Sequence, residues 1–209
     1  LHCLYSIADL IQAAASVEEL LAQTVQQIPP AMIHPEQFVR LPASAAPLQN
    51  PSYDAFLRAL QEAGLLVLDL SDELAAASAQ GVAQFLATDT HWRPEVVEHA
   101  AQRLAAFIAR HVPLSLAVPA AYSFAQVEQA GQGDVAVMLK LPPRQQLFPA
   151  EPVRLRQIRT PRDELWSATQ DADVLLLGDS FSNIFSLDAM GWGESAGLAE
   201  QLSFELQRP

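Results

Sequence analysis

Residues 172–183 read Ala-Asp-Val-Leu-Leu-Leu-Gly-Asp-Ser-Phe-Ser-Asn, and this stretch decides the predicted fold. Its first seven residues, 172–178, form a short apolar run, which is typical of a buried parallel strand. The Gly-Asp-Ser turn at 178–180 then leads into a helical pattern that continues to about Leu206. In an open α/β sheet the carboxyl ends of the strands form the functional rim. The pattern therefore predicts that the Ser180 hydroxyl projects into that rim.

Helical patterns surround this stretch. Residues 94–111 give the clearest amphipathic helix, with a proline in the first turn and another just beyond the last. Residues 53–64 have apolar side chains at helical spacing and end in a glycine that suits a C-cap. A further helix is predicted to begin near Ser71, and residues 17–27 read as a polar helix that stops before a Pro-Pro pair.

Two more segments are predicted to be strands. The apolar run 65–70 follows the 53–64 helix directly, and residues 153–158 alternate between apolar and polar side chains, as a half-buried strand near an edge does. Residues 135–139 fit either a helical turn or a strand. Helices that alternate with apolar strands indicate an α/β fold, with a mostly parallel sheet flanked by helices in three layers.

Length and charge exclude several classes of protein. The chain has 209 residues and a formal net charge of 12 − 24 = −12, so an acidic surface opposes nucleic-acid binding. A single cysteine excludes an intrachain disulfide and a Cys-based zinc cluster. We expect one domain over residues 1–209, with an atypical helical lead-in at 1–28. Because the chain starts without Met and stops just after a helical pattern, we expect it to be a fragment.

The turn at 178–180 has the features of a nucleophile site. A serine placed there precedes a helix, whose first N–H groups and positive dipole end could hold the oxyanion of a tetrahedral intermediate. The alternative is a serine that only caps a helix after a strand. The residues alone leave both interpretations open.

A second segment, Asp89-Thr90-His91-Trp92, supplies the base that such a serine needs. Asp89 lies two residues before His91, so its carboxylate can accept the Nδ1 proton in a turn and leave Nε2 facing Ser180. The alternative is an aspartate at a helix N-terminus beside an incidental histidine. No spacing of His and carboxylates supports a metal centre, and we predict no metal and no cofactor.

Together, Asp89-Thr90-His91-Trp92 and Gly178-Asp179-Ser180-Phe181-Ser182-Asn183 resemble the alginate O-acetyltransferase J/X group of SGNH-hydrolase-like proteins. The resemblance covers roughly residues 29–206. The other segments that contribute to it are the Pro-containing loop at 30–37, the helix and strand at 53–70, Gly133-Asp134 with the segment after it, and Gly191-Trp192-Gly193 as the start of a helix after the nucleophile.

The resemblance implies an O-acetyltransferase that acts on hydroxyls of an exported polysaccharide, alginate or a similar one, through a Ser-His-Asp triad. Ser180 would become acetylated, His91 would act as general base and acid, and Asp89 would orient His91. Asn183 and Trp92 are candidate substrate-binding residues. The acetyl donor would be supplied by a membrane-bound O-acyltransferase, and the protein would work in the periplasm.

Two other functions use the same residues. A carbohydrate acetylesterase would share the first half-reaction and use water as the acceptor. A non-catalytic module for polysaccharide binding or assembly would need exposed aromatic side chains beside a groove. The family's leading anchor or signal segment, and the part of its domain after Pro209, are expected to lie outside this chain.

Overall fold

The computed structural model describes residues 50–114, 118–142, 144 and 146–209. The predicted lead-in at 1–28, with its helix at 17–27, and the loop at 30–37 therefore lie outside the described residues. The chain divides into two compact units, residues 1–79 and 80–209. The expectation of a single domain over the whole chain stays a prediction.

The described part of the first unit contains two helices, α1 (Tyr53–Glu62) and α2 (Ser71–Ala79). Gly64, just after α1, has a φ of 79°, a left-handed conformation that glycine adopts without steric cost. Asp69 precedes α2, accepting hydrogen bonds from the Tyr53 hydroxyl at 2.8 Å and from the Ser71 backbone N–H at 2.9 Å. The Asp69 side chain therefore satisfies the first N–H of α2, which begins at Ser71 itself, one position earlier than a capping Ser71 would require.

The second unit carries the remaining described elements. They are α3 (Pro94–His111), β1 (Ser123–Gly131), α4 (Asp134–Met138), β2 (Glu151–Arg159), α5 (Ser180–Asn183), a 3-10 turn (Asp188–Met190) and α6 (Leu198–Leu206). The predicted bounds of α3 are confirmed, because Pro94 fits its first turn and the chain turns extended at Val112 before Pro113. Residues 135–139, left open by the sequence, lie mostly in α4.

Strands β1 and β2 pair antiparallel, with Ser123 opposite Arg159 and Gly131 opposite Glu151. The strand predicted at 153–158 is confirmed within β2, whose Val153, Leu155 and Ile158 side chains are buried. In the described residues this two-stranded sheet is the only one. The three-layer, mostly parallel sheet therefore remains an expectation for the whole domain.

Two strand predictions are wrong. Residues 65–70 and 172–178 have extended or irregular backbone without a strand partner among the described residues. Leu175 and Leu177 are 81% and 84% exposed, so the apolar run is not buried here. An apolar run predicts burial, whereas a strand also needs a neighbour that completes its hydrogen bonds. The predicted helix up to Leu206 is likewise interrupted, because regular helix resumes only at Leu198.

The core of the second unit lies where α3 packs against α6 and β2. Arg156 of β2 ties these elements together, because its guanidinium donates to Gln201 at 2.9 Å and to Glu205 at 2.7 Å in α6. The same guanidinium lies 4.7 Å from the centre of the Phe204 ring, within the range of a cation–π contact. None of the helices in the described ranges combines the length and the apolar composition that crossing a bilayer requires.

Candidate active site

Residues 89–92, the histidine corner, lie at the end of a tight backbone turn. The Leu86 N–H donates to the His91 carbonyl and the Arg93 N–H to the Gln84 carbonyl, both at 3.0 Å. These bonds close residues 84–93 into a hairpin-like loop immediately before α3. The loop fixes the backbone on both sides of Asp89, so the two side chains of the predicted pair begin from a rigid base.

Asp89 and His91 form the pair that the sequence predicts. Asp89 Oδ1 lies 2.5 Å from His91 Nδ1 and also accepts the His91 backbone N–H at 3.0 Å. An aspartate that accepts a hydrogen bond from the backbone two residues ahead is an Asx turn, which explains why spacing of two residues brings the side chains together. His91 and Asp89 side chains are 8% and 4% exposed. A buried, ionised acceptor assigns the proton to Nδ1.

The second oxygen of Asp89 is also held. Oδ2 accepts the Trp192 indole N–H and the Asp134 backbone N–H, each at 3.0 Å. Burial of the carboxyl opposes its ionisation, but the hydrogen bonds from His91, Asp134 and Trp192 outweigh burial, and the pKa of Asp89 lies below its ordinary value of 3.8. Asp89 is therefore a carboxylate that can stabilise an imidazolium at His91.

Residues 178–183, the serine corner, are built around Asp179. Its side chain accepts the Phe181 N–H at 3.0 Å, which caps α5. Gly178 is required by close packing, because a Cβ there would lie 2.0 Å from the Ser182 Oγ. Ser182 is buried and Ser180 is exposed, so of these two serines only Ser180 is open to a substrate.

The expectation that free N–H groups at the start of α5 hold an oxyanion is corrected in part. Helix α5 has four residues, the Phe181 N–H is already bonded to Asp179 Oδ1, and the Ser182 N–H donates to the Asp179 carbonyl at 3.1 Å. Two of the predicted donors are thus engaged, because the capping aspartate satisfies them. A helix this short also contributes little of the dipole that a longer helix would supply.

The structure brings the two corners into contact through Phe181. The Phe181 ring lies 5.0 Å from the His91 ring, centre to centre, and the Phe181 carbonyl accepts the Trp92 indole N–H at 2.9 Å. His91 Nε2 is buried and has no hydrogen-bond partner among the residues that the structure describes. Ser180 is therefore adjacent in the chain to a residue that touches His91, and its hydroxyl is not hydrogen-bonded to Nε2 in this state.

An unpartnered Nε2 is informative because a buried ring nitrogen normally finds a partner. With the proton on Nδ1, Nε2 is an acceptor that a hydroxyl could satisfy. In structures without substrate, hydrogen bonds between a nucleophile and its base are often long or absent and form in the complex. The arrangement can therefore do acid–base chemistry on a hydroxyl brought to Nε2.

The substrate-binding expectations both stay predictions. Trp92 is 7% exposed and its indole N–H donates to the Phe181 carbonyl, so in this structure it joins the two corners. Asn183 is exposed at the end of α5, and its substrate-binding role stays a prediction. The Trp192 and Asp134 contacts to Asp89 did not follow from the sequence, because nothing local in the chain links these distant positions.

One group of side chains in the described residues could hold a metal ion. Ligand atoms of Asp89, His91 and Asp134 lie within 4.8 Å of one another. The Asp134 carboxylate is already engaged with Thr90, accepting the backbone N–H at 3.0 Å and the hydroxyl at 2.9 Å. Hydrogen-bond donors of the protein thus contact the carboxylates of this group, an arrangement that suits an Asp–His pair.

Comparison with known proteins defines the class first. A family model described as an SGNH hydrolase-like domain, acetyltransferase AlgX, matches residues 10–209. The O-acetyltransferase domain of Pseudomonas putida AlgJ superposes with a TM-score of 0.56 and 25% identity, over 78% of this chain and 52% of that one. The fold is that of an SGNH hydrolase-like domain. The chain belongs to the AlgX family of acetyltransferase domains.

Curated relatives agree with the family. The probable alginate O-acetylase AlgJ of Pseudomonas syringae pv. tomato is 35% identical over 66% of this chain and 37% of the relative. The proteins of the same name from Pseudomonas aeruginosa and Pseudomonas fluorescens are 34% and 30% identical, over 73% and 77% of this chain and 41% and 42% of the relatives. The chain thus spans about two fifths of the length of these relatives.

Proposed function

We propose that this domain transfers acetyl groups to hydroxyls of an exported polysaccharide through an acetyl-enzyme at Ser180. One observation carries the proposal: a buried His91, paired with Asp89 through Nδ1, keeps Nε2 unpartnered among the described residues while its ring contacts the residue after Ser180. The family match and the names of the AlgJ relatives support acetyl transfer as the reaction.

In the first half-reaction, His91 Nε2 accepts the proton of the Ser180 hydroxyl as Oγ attacks the acetyl carbonyl carbon. The tetrahedral intermediate collapses, the bond to the donor's leaving group breaks, and that group takes the proton from the His91 imidazolium. Asp89 stabilises the imidazolium and holds the Nδ1 proton throughout. The product is an acetyl ester on Ser180.

In the second half-reaction, a sugar hydroxyl gives its proton to Nε2 and attacks the acetyl carbonyl. The Ser180 oxygen leaves and takes that proton back from His91. Atoms balance, because the acetyl group moves from donor to sugar and the enzyme returns to its starting state. Asn183, exposed beside Ser180 in the chain, is proposed to contact the substrate.

A second candidate function, acetyl ester hydrolysis, is favoured by one observation. Ser180 is exposed, so water as well as sugar reaches the acetyl ester from the open side of the serine corner. What separates a transferase from an esterase is how well the bound acceptor excludes water during the second half-reaction.

The experiment uses an activated acetyl ester with and without alginate-type oligosaccharides. Intact-mass and peptide analysis locate the acetyl group on the protein, and mass spectrometry of the sugar counts acetyl groups on the acceptor. The proposal expects an acetyl group on Ser180 and acetylated sugar. Ser180→Ala should give neither, whereas Ser167→Ala, a change at an exposed serine outside both corners, should behave as the unmodified chain does.

The outcomes separate the candidates. Acetyl-Ser180 that yields acetate alone at every acceptor concentration supports an esterase. A folded protein that never acquires an acetyl group and whose Ser180 resists fluorophosphonate labelling argues for a non-catalytic binding or assembly module. Acetylation at another residue would remove Ser180 from its proposed role.

The proposal extends to partners, location and complete fold. We infer that a membrane-bound O-acyltransferase supplies the acetyl group, that the polysaccharide acceptor is met in the periplasm, and that the complete domain contains a three-layer, mostly parallel sheet. The names of the AlgJ relatives support a polysaccharide as the acceptor, and the likeness to the Pseudomonas putida domain supports the fold, whereas the acyltransferase and the periplasmic location rest on the family resemblance alone. An experimental structure of the full-length protein and co-purification with its acyltransferase would test them.

A further inference from the structure

Trp192 occupies an unusual place for a tryptophan distant in sequence from the histidine corner. It is 1% exposed, and its indole N–H reaches Asp89 Oδ2 at 3.0 Å across 103 positions of sequence. A buried indole N–H usually finds a hydrogen-bond acceptor. This one donates to the carboxylate that is paired with His91.

The chain leaves space for the Trp192 ring at one position in particular. Gly131, the last residue of β1, packs directly on the ring, because a Cβ there would lie 2.7 Å from Trp192 Cε3. Any larger residue at 131 would displace the indole. The ring is therefore held against the end of β1, and its N–H is directed at Asp89 by packing rather than by the hydrogen bond alone.

The other donor to Oδ2 comes from the same region of the chain. Gly133 fits against the backbone of Thr88, where a Cβ would lie 1.9 Å from the carbonyl oxygen. This close approach places the Asp134 N–H on Asp89 Oδ2 and the Gly133 N–H on the Thr88 hydroxyl, at 3.0 and 3.1 Å. Residues 131–134 and Trp192 thus surround the far side of the carboxylate.

Two N–H donors on one oxygen leave the other oxygen to His91. A carboxylate rotates about its Cβ–Cγ bond unless both oxygens are fixed, and each orientation offers Nδ1 a different acceptor geometry. With Oδ2 held by Trp192 and Asp134, Oδ1 is left in the plane that Nδ1 needs. Hydrogen bonds to the ionised form also keep the carboxyl deprotonated.

We propose that Trp192 is a positioning residue of the active site: its indole N–H fixes the Asp89 carboxylate so that His91 presents Nε2 to the serine corner. The proposal rests on the proposed function for its catalytic consequence, but the orientation and ionisation of Asp89 can be measured without any turnover. Removal of the indole N–H should weaken the Asp89–His91 contact, raise the pKa of Asp89 and slow acetyl transfer.

The experiment compares three replacements in the same chain. Trp192→Phe removes the N–H and part of the ring. Replacement of Trp192 by 3-benzothienylalanine removes only the N–H and preserves the shape, which keeps the test valid if Trp192→Phe loosens the core. Trp166→Phe is the matched control, because the Trp166 Nε1 is buried and has no hydrogen-bond partner among the described residues.

Three measurements test the proposal on each protein, and a fourth checks folding. Proton NMR follows the His91 Nδ1–H resonance, carboxyl 13C NMR follows the titration of Asp89, with Asp89→Asn to assign the signal, and burst kinetics with an activated acetyl ester give the rate of Ser180 acetylation. Thermal unfolding reports whether each replacement is folded.

We expect the benzothienyl variant to lose or broaden the Nδ1–H resonance, to titrate Asp89 at higher pH and to acetylate Ser180 about tenfold more slowly, as loss of a hydrogen bond to a charged group does. Trp166→Phe should leave all three unchanged. A folded benzothienyl variant with an unchanged resonance and titration overturns the proposal. If no version of the chain acetylates Ser180, the proposed function fails, and the NMR measurements still decide the role of Trp192.

Discussion

The two corners of the site are held in opposite ways. At the histidine corner, the Asp89 carboxylate receives four hydrogen bonds, from the backbone N–H and Nδ1 of His91, the backbone N–H of Asp134 and the indole of Trp192. At the serine corner, Asp179 holds the backbone of α5 while Ser180 stays exposed. The base is thus fixed before substrate arrives, and the nucleophile is left accessible. Because Asp89 holds His91 through Nδ1, the restraint leaves Nε2 available to the Ser180 and sugar hydroxyls.

The largest expected effect comes from removing either the nucleophile or the base. Ser180→Ala and His91→Ala should each lower the rate of acetyl transfer by about five to six orders of magnitude, because nucleophile and base act as one unit. For the same reason the double variant should be no slower than either single one. Steady-state rates with an activated acetyl ester measure the three variants. Additive losses would mean that the corners do not act together.

A change at Asp89 tests the histidine corner alone. Asp89→Asn should slow turnover by about four orders of magnitude, because an amide can donate to Nδ1 and leave the proton on Nε2, where it blocks the base. Circular dichroism should report an intact fold. Asp163→Asn, at an exposed carboxylate, is the control. An Asp89→Asn protein as active as the unmodified chain would remove Asp89 from the site.

Gly133 tests whether the histidine corner depends on close backbone packing. Its φ is −66°, so Gly133→Ala introduces no backbone strain, and the whole effect comes from the methyl group that meets the Thr88 carbonyl. Overpacking of this kind costs about 1–3 kcal/mol. Urea unfolding should show that loss in the free energy of unfolding. Gln132→Ala, a change at the exposed neighbouring residue, is the control and should alter the free energy of unfolding by less than about 0.5 kcal/mol. If Gly133→Ala and the unmodified chain had equal free energies of unfolding, the backbone at Thr88 would be able to move aside without loss of stability.

The smallest expected effect is on the free energy of unfolding at low pH. The pKa of Asp89 is lowered in the folded state below 3.8, so ionised Asp89 stabilises the fold at pH values above about 3.8, and this contribution is lost as pH falls through the folded pKa. The free energy of unfolding of the unmodified chain should therefore fall more steeply in that range than that of Asp89→Asn. Parallel curves for the two proteins, from urea unfolding at several pH values, would contradict the lowered pKa.

Local patterns predicted local structure. Helix α3 follows from its apolar period and its flanking prolines, and the Asp89–His91 pair follows from spacing of two residues in a turn. Strand β1 was not predicted, because its inward positions Ala125, Val127 and Gln129 are small or polar and give little hydrophobic alternation.

Properties that depend on distant partners did not follow from the sequence. The 172–178 run was predicted to be a strand because it is apolar, but the pattern carries no information on which segment would pair with it. The Trp192 contact to Asp89 and the burial of Trp92 likewise depend on how β1, α5 and the 84–93 loop come together.

The bond from Trp92 to the serine corner ends on a main-chain oxygen, the carbonyl of Phe181. Every amino acid at position 181 supplies that oxygen, whereas only the indole at position 92 supplies the donor. A substitution at position 181 therefore leaves the acceptor of this hydrogen bond in place, whereas a substitution at position 92 removes the donor. A deep mutational scan selecting for acetylation should find position 92 nearly invariant and position 181 permissive toward other large apolar residues.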